Sequence, residues 1–311
     1  MNILVTGVAG DIGNGIGRIL RDSGLTTKLI GCDIHEQHTG RFVFDECYAV
    51  PRADDDDYIA SMLAVADDNE IDLILPTSEP ELRFLTRNGI FQQLRGIPLI
   101  MANREALEIG FDKLATAKLL ESQGLPFPWT RLVREEDPRE LPCIIKSRFG
   151  AGSQEVRRID HVALIQPYRE INPDHIWQEF VGTADEEYTC GVFRSALGET
   201  RVIAFRRRLS AGITTYGEVV ENQGIDRLCR TLAEALMLDG SINIQLRMTK
   251  RGPVVFEINP RFSSTVVFRN LMGFRDVIWA ISVRLRGVLP PYEHPPRVGT
   301  KMFRKFEEII L

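Results

Sequence analysis

The chain has 311 residues, 44% of them hydrophobic, and a formal net charge of −5. That is enough apolar material for two or three domains, and the missing basic excess excludes nucleic acid or an anionic membrane as a partner held by bulk charge. No apolar run approaches the roughly 18 residues of a membrane span, and no basic segment leads into an apolar stretch at the start, so the expectation is a cytoplasmic protein.

Residues 3–20, ILVTGVAGDIGNGIGRIL, read as a strand, a glycine-rich turn and a helix. Gly7, Gly10 and Gly13 allow a tight turn, and the helix start favours an anion. Asp33 lies about 20 residues beyond the turn, where a dinucleotide-binding unit keeps its ribose-binding acid. One reading is therefore an NAD(P)-dependent oxidoreductase. TKLIGCD follows as a strand, and the acidic run Asp54–Asp57 opens the helix DYIASMLAVADDNE. IDLILPT is a buried strand, EPELRFLTRNGIFQQL a helix and IPLIMAN a further strand. This rhythm predicts a parallel, Rossmann-like sheet over residues 1–102. Thr77, Ser78 and Glu79 end a strand at a cleft mouth and could contact an acceptor; Glu79 reads equally well as a capping acid.

Near residue 103 the pattern changes. NREALEIGFDKLATAKLLESQGLPFPW is helical and stops at a Gly-Leu-Pro-x-Pro breaker. Six short strands follow, CIIKSR, IWQEFV, EEYTCGVF, TRVIAFRRRL, SINIQLRM and GPVVFEIN, which predict mixed or antiparallel sheets. A single long helix over about residues 263–287 and a closing strand complete the chain. The five cysteines, Cys32, Cys47, Cys143, Cys190 and Cys229, are widely spaced and read as small buried hydrophobes in a reducing compartment.

The second half carries sharper chemistry. In SINIQLRMTKRGPVVFEINPRFSS, residues 241–264, two strands flank the turn TKRG. Alternation puts Asn243 and Gln245 on one face and Ile242, Ile244 and Leu246 on the other. Glu257 and Asn259 share a face, with Phe256 and Ile258 directed into the core. A tight register sets Gln245 across from Glu257 and Asn259 near Asn243, with Arg261 just past the end. This patch of hard oxygen donors, Gln245, Glu257 and Asn259, suits a Mg²⁺ that arrives with ATP. Arg261 could then stabilise a transferring phosphoryl group. A polar, solvent-facing hairpin is the plainer alternative.

In PCIIKSRFGAGSQEV, residues 142–156, a strand delivers Lys146, and Gly150, Gly152 and Ser153 let backbone N–H groups approach phosphate. The lysine precedes the glycines, so this is no Walker A loop; it suggests a lysine over phosphates with a closing flap, or an ordinary hairpin loop. In IWQEFVGTADEEYTC, residues 176–190, a strand ends near Phe180 and Val181 with Glu179, Glu186 and Glu187 close by. An extended backbone there could meet adenine, and a carboxylate could meet ribose.

Together these segments resemble the ATP-grasp superfamily, in particular its carbamoyl-phosphate-synthetase-like branch, over essentially the whole chain. The resemblance implies a Rossmann-like pre-ATP-grasp domain at 1–102 and an ATP-grasp domain at 103–311 whose two α+β subdomains, about 124–181 and 182–311, clasp ATP. It implies that Lys113, in FDKLATAKLL, and Lys146 contact nucleotide phosphates, that residues 179–181 bind adenine and that Glu187 binds ribose. Gln245, Glu257 and Asn259 would hold Mg²⁺, with Mn²⁺ able to substitute, and Arg261 would face an acyl phosphate. Arg206 and Arg208 would bind phosphate or substrate, and the turn at Gly10 would meet the acceptor rather than NAD. Many superfamily members carry an acid where this chain has Gln245, which weakens the hold on a second ion. The implied activity is an ATP-dependent, ADP-forming ligase for small carboxylates and amines, possible as a homodimer. The rivals are the NAD(P) enzyme and a non-catalytic ATP-binding relative; the presence of Lys146, Glu257, Asn259 and Arg261 stands against the latter.

Overall fold

The computed structural model describes residues 1–150, 156–210 and 212–305. The first part alternates strand and helix: β1 (Asn2–Thr6), α1 (Asp11–Ser23), β2 (Lys28–Asp33), β3 (Glu46–Ala49), α2 (Tyr58–Asp68), β4 (Leu73–Leu75) and α3 (Glu79–Arg87). All four strands are parallel, in the order β3-β2-β1-β4. Ile3, Leu4 and Val5 are all inaccessible to solvent, as a strand covered by helices on both faces must be. The strand expected through IPLIMAN shrinks to the second arm of a small hairpin, β5 (Gln93–Leu94) and β6 (Ile97–Pro98). Pro98 has no N–H to give a ladder, and only Leu99 bridges back to Ile74.

The helical stretch after residue 103 is two helices, α4 (Arg104–Phe111) and α5 (Lys113–Ser122). Asp112 breaks it by taking an extended conformation and accepting hydrogen bonds from the Leu114 and Ala115 N–H groups. Next come β7 (Thr130–Leu132), β8 (Cys143–Ser147), β9 (Arg157–Ile159), α6 (Ile165–Ile171) and β10 (His175–Glu179). They form an antiparallel sheet, β7-β10-β8-β9, with its own core around Trp129, Ile145 and Trp177.

The remaining elements are β11 (Glu187–Arg194), β12 (Thr200–Ser210), β13 (Ile213–Val220), α7 (Gln223–Ala235), β14 (Gly240–Thr249), β15 (Gly252–Asn259), α8 (Val266–Leu271), α9 (Asp276–Arg286) and β16 (Lys301–Phe303). The strands make one antiparallel sheet, β15-β14-β11-β12-β13-β16. The single helix expected over 263–287 is instead α8 and α9, parted at Gly273. That residue has φ +86°, and a Cβ there would meet the His294 carbonyl oxygen at 2.2 Å. The two helices pack under the N-terminal sheet, where Phe262, Val266, Val277 and Ile281 join Ile3, Val5, Ile16 and Leu20 in one core. On the other side α7 covers Ile242, Ile244 and Leu246 with Leu228 and Leu232. On the other face of the six-stranded sheet Phe193, Ile203, Phe205 and Val219 pack against Phe268, Phe274 and Trp279 of the α8–α9 segment, and the remainder of that face lines a cleft with the β7-β10-β8-β9 sheet. All five cysteines are free thiols.

Candidate active site

The β14–β15 register places Asn243 opposite Asn259 and Gln245 opposite Glu257, as alternation predicts. Phe256 departs from expectation. The register shifts between Gln245 and Leu246, so Leu246 pairs with Val255 and Phe256 is the extra residue of a bulge. Val255 takes the core position, and Phe256 turns onto the polar face and lines a cleft of about 610 Å³ between the two antiparallel sheets. Lys146 Nζ lies 5.9 Å and the Arg247 guanidinium 5.6 Å from its ring centroid.

Both predicted lysines point into this cleft. Lys113 is the first residue of α5; its Nζ donates to the Gly150 carbonyl at 2.5 Å and stands 3.9 Å from the Glu257 carboxylate. Lys146, delivered by β8, donates to the Phe256 carbonyl at 3.2 Å. Burial lowers its pKa from 10.5 to about 8; Glu257 opposes that shift, and Lys113 and Arg247 add to it. Gly150 lines the cleft, whereas Gly152 and Ser153 lie outside the described residues. Glu179, Phe180 and Val181 form the opposite wall. The Glu179 N–H is bonded to the Trp129 carbonyl and its carboxylate pairs with Arg251 at 2.5 Å. Among the described residues, both backbone groups of Phe180 and the N–H of Val181 have no hydrogen-bond partner, which leaves an open extended edge.

Glu187 is buried and fully engaged. Arg207 donates to one of its oxygens at 2.7 and 3.0 Å, and Arg247 to the other at 2.8 and 3.1 Å. Arg207 also donates to Gln245 Oε1 at 2.8 Å. The sheet explains the grouping: Glu187 pairs with Arg247 across β11–β14, and Arg207 falls beside Glu187 on β12. Arg206 and Arg208 are therefore corrected. They are exposed on the opposite face, where Arg206 donates to the Asp185 carbonyl at 2.9 Å and Arg208 lies over Tyr216. Arg207 and Arg247 line the cleft instead, and the signal for Arg207 was its parity with the apolar Ile203 and Phe205.

For a divalent cation the donors fit in part. Glu257 has only the long ion pair to Lys113, and the buried Asn259 makes no side-chain hydrogen bond among the described residues. Gln245 has its oxygen committed to Arg207. Among the described residues no group of three or more His, Cys, Asp or Glu could hold a metal alone. A cation here needs oxygens from its ligand, as Mg²⁺ carried by polyphosphate has.

The N-terminal unit closes the end of the site. Thr77 is spent on structure: its hydroxyl donates to the Thr6 carbonyl at 2.7 Å and its own N–H is bonded to the Thr6 hydroxyl. Ser78 caps α3 by accepting from the Glu81 N–H at 3.3 Å. Thr77 is buried with its hydroxyl proton committed, so it does not reach an acceptor, whereas Ser78 only accepts and its own O–H is not used in the cap. Glu79 is different. Its side chain is 11% exposed, and burial raises its pKa although Arg261, Lys113 and Arg83 all pull the other way. Arg261 donates to the Phe262 carbonyl at 3.0 Å and sits within electrostatic reach of Glu79, beside the cleft rather than in its lining. Glu81, which sequence reasoning missed, is fully buried and accepts from the Thr6 and Tyr58 hydroxyls.

The glycine turn has a packing explanation. Gly10 precedes α1, and a Cβ on Gly13 would meet the Gly7 carbonyl oxygen at 2.4 Å. Asp33 accepts from the Ala9 and His35 N–H groups at 2.8 and 3.0 Å, so its carboxylate holds the turn.

Two facing antiparallel sheets, with a lysine from each side reaching a bulged hairpin and a parallel sheet at one end, define a known class of nucleotide-binding fold. Residues 179–303 match the family described as "ATP-grasp in the biosynthetic pathway with Ter operon", and residues 11–100 match the PylC-like N-terminal domain. In structure the chain is similar to N5-carboxyaminoimidazole ribonucleotide synthetase from Thermus thermophilus, with TM-score 0.73, 17% identity, and coverage of 97% of this chain and 82% of that one. It is also similar to an L-amino acid ligase from Bacillus licheniformis, with TM-score 0.70, 16% identity, and coverage of 92% and 74%. In sequence it is 28% identical over 224 residues to a D-alanine–D-alanine ligase from Mycobacterium sp. (strain KMS), a match spanning 60% of each chain. Residues 179–303 thus belong to an ATP-grasp family, and the ATP-grasp resemblance read from the sequence is borne out. The chain spans about 60% of the length of the D-alanine–D-alanine ligases it matches. The NAD(P) alternative is not favoured. Among the described residues no helix is long and apolar enough to cross a membrane.

Proposed function

We propose that the protein is an ADP-forming carboxylate–amine ligase. A carboxylate oxygen attacks the γ-phosphorus of ATP, the bond to the β-phosphate oxygen breaks, and ADP leaves. The neutral amine nitrogen then attacks the acyl carbon, inorganic phosphate departs with the electron pair of the C–O bond, and the proton the nitrogen loses passes to the departing phosphate or to solvent. The observation that carries this reading is the meeting of Lys113, Lys146 and Glu257 in one cleft with an open backbone edge at Phe180–Val181. Adenine would bind that edge against Phe256. Lys113, Lys146, Arg207 and Arg247 neutralise phosphate charge, and the protein's work is positioning and electrostatics. Glu257 and Asn259 would hold Mg²⁺, which draws negative charge from the β- and γ-phosphate oxygens. Gln245 joins them once Arg207 turns to nucleotide. Arg261 holds the acyl phosphate.

In this reading residues 1–102 carry the acceptor side, and about 124–181 act as a lid over the 182–311 subdomain. The separate apolar core of the four-stranded sheet supports such a movement. The lid keeps water from the acyl phosphate. The relatives' substrates, amino acids in two of the three named, support a small carboxylate and a small amine here. The experiment is hydroxylamine trapping: protein, MgATP and a panel of carboxylates should yield a hydroxamate together with ADP. ATP binding without any hydroxamate or ADP release would favour the non-catalytic relative.

A further inference from the structure

The break between α4 and α5 delivers Lys113 to the cleft. Asp112 makes the break with φ −110° and ψ 106°, so that Lys113 is the first residue of α5. Its Oδ1 accepts from the Leu114 and Ala115 N–H groups at 2.9 and 3.3 Å and from Arg148 Nε at 2.8 Å, and its Oδ2 accepts from Arg148 Nη2 at 2.5 Å. The side chains of this bidentate pair, Asp112 and Arg148, are 12% and 27% exposed. Burial pushes the Asp112 carboxyl up, but the hydrogen bonds from Arg148 and the helix N–H groups outweigh it and hold the pKa below the ordinary value. The same two segments meet twice more. The Lys113 N–H is bonded to the Arg148 carbonyl at 3.2 Å, and Lys113 Nζ to the Gly150 carbonyl at 2.5 Å. Between these carbonyls, the Phe149 ring carries the Arg148 and Arg83 guanidinium groups at 4.9 and 5.1 Å from its centroid. Just before Asp112, Gly110 abuts the Pro260 ring, where a Cβ would meet ring carbons at 2.9 Å, so the break is also fixed against the end of the strand that carries Asn259.

A helix cap alone does not need the arginine, since one aspartate oxygen satisfies the first N–H groups by itself. What the arginine adds is a tie between the start of α5 and the chain leaving β8. Lys113 has use for such a tie. Its side chain has rotamers to lose, and a like charge, Lys146, stands in the same cleft to be avoided. Among the described residues, Lys113 lines the cleft and neither Asp112 nor Arg148 does. We propose that Asp112 and Arg148 are positioning residues, a clamp that holds Lys113 Nζ where the nucleotide phosphates come, so that Lys113 and Lys146 meet one polyphosphate from two elements. This rests on the ligase reading and adds to it two residues that act on the nucleotide only through Lys113. The Gly150 carbonyl is a neutral acceptor, and a phosphate oxygen is a charged and stronger one. Nζ can pass from the first to the second while the clamp keeps the Lys113 backbone in place.

The test is a double-mutant cycle read by calorimetric titration of the full chain with Mg²⁺ and a non-hydrolysable ATP analogue. Asp112→Asn keeps a capping oxygen but turns an NH₂ toward Arg148 Nη2, so it spares the helix and breaks the clamp. Asp112→Asn and Arg148→Met should each weaken the analogue by about five-fold or more, with Arg148→Lys recovering part of the loss. In a Lys113→Met background, Asp112→Asn should change the affinity by less than about two-fold, because nothing is left for it to act through. A second readout compares two lysines of one molecule and is insensitive to any unfolded fraction. A pyridoxal ester of ADP forms imines with amines near the nucleotide phosphates, and borohydride fixes them for peptide mass spectrometry. The ratio of label on Lys113 to label on Lys146 should fall by about three-fold or more in Asp112→Asn. The inference is overturned if Asp112→Asn leaves affinity and label ratio unchanged, or if it costs as much without Lys113 as with it, which is general loosening. It is overturned as well if the wild-type chain binds no nucleotide. Hydroxamate formation is read separately. If it occurs and Asp112→Asn is silent, the clamp falls alone. If the cycle and the label behave as expected and no hydroxamate ever forms, the ligase reading falls and the clamp stands.

Discussion

Lys146 makes a prediction that pH can test. Burial holds its pKa at about 8 in the protein against an ordinary 10.5. The gap means that keeping this amine charged in the empty cleft costs about 3 kcal/mol at neutral pH. A bound polyphosphate within reach of Nζ removes that cost and restores the proton. At pH 9, where the empty site retains about a tenth of a proton, nucleotide binding should take up close to one. Between pH 8 and 9 the affinity for MgATP should fall about five-fold, as the charged fraction does. The linkage to stability follows the same sign. A lysine whose folded pKa is depressed binds fewer protons than the unfolded chain between pH 8 and 10.5, so this group's penalty on the empty protein is relieved as pH rises through that window. Titrating MgATP at pH 9 in buffers of different ionisation enthalpy counts the protons, and Lys146→Met supplies the blank. Uptake below about a fifth of a proton at pH 9, or the same uptake in Lys146→Met, would refute the placement of Lys146 over the phosphates.

Other outcomes follow from the same geometry. Phe256→Ala should weaken ATP by about ten-fold or more through loss of the ring surface, read by equilibrium binding, with little change in melting temperature. Gln245→Glu adds a second carboxylate opposite Glu257 and should lower the Mg²⁺ concentration needed for half-maximal ADP formation by about ten-fold. Arg206→Ala and Arg208→Ala, both on the far face of β12, should leave ATP affinity within about two-fold, whereas Arg207→Met should cost ten-fold or more by leaving Glu187 half paired. Gly191→Ala would drive a Cβ to 2.4 Å from Nη1 of the fully buried Arg269, so thermal unfolding should occur several degrees lower.

The β14–β15 hairpin was legible because a period of two, apolar on one side and amide or acid on the other, fixes register once a short turn is named. The same rule misled at Phe256, since one bulge residue reverses parity beyond it and no local signal in PVVFEIN marks the insertion. It misled again at Arg206 and Arg208: three consecutive arginines satisfy either face, and the choice falls to cross-strand partners distant in sequence, Glu187 and Gln245. The parallel sheet was visible in its apolar runs. The break at Gly273 was not, because what forbids a side chain there is the His294 carbonyl, brought in by a later segment. Thr77 and Ser78 show a related limit. Their chemistry suits substrate binding, and only the closeness of Thr6 and the start of α3 shows that Thr77 donates to Thr6 and that Ser78 accepts from the Glu81 N–H.

The charges in the cleft explain why a glutamine can stand at position 245. Arg207 is shared between the carboxylate of Glu187 and the amide oxygen of Gln245, and Arg247 completes the pairing of Glu187. With no nucleotide bound, these arginines are held in place by one buried carboxylate, which spares the site two unpaired cations. A second acid at 245 would bind Arg207 more firmly and make its transfer to phosphate costlier. The neutral amide keeps the arginine positioned and easier to release. In the proposed ligase, metal affinity and nucleotide affinity would therefore oppose each other at this residue. In Gln245→Glu the gain for Mg²⁺ should come with weaker binding of metal-free ATP, measured in EDTA. A variant that bound metal-free ATP more tightly would show that Arg207 never serves the phosphates.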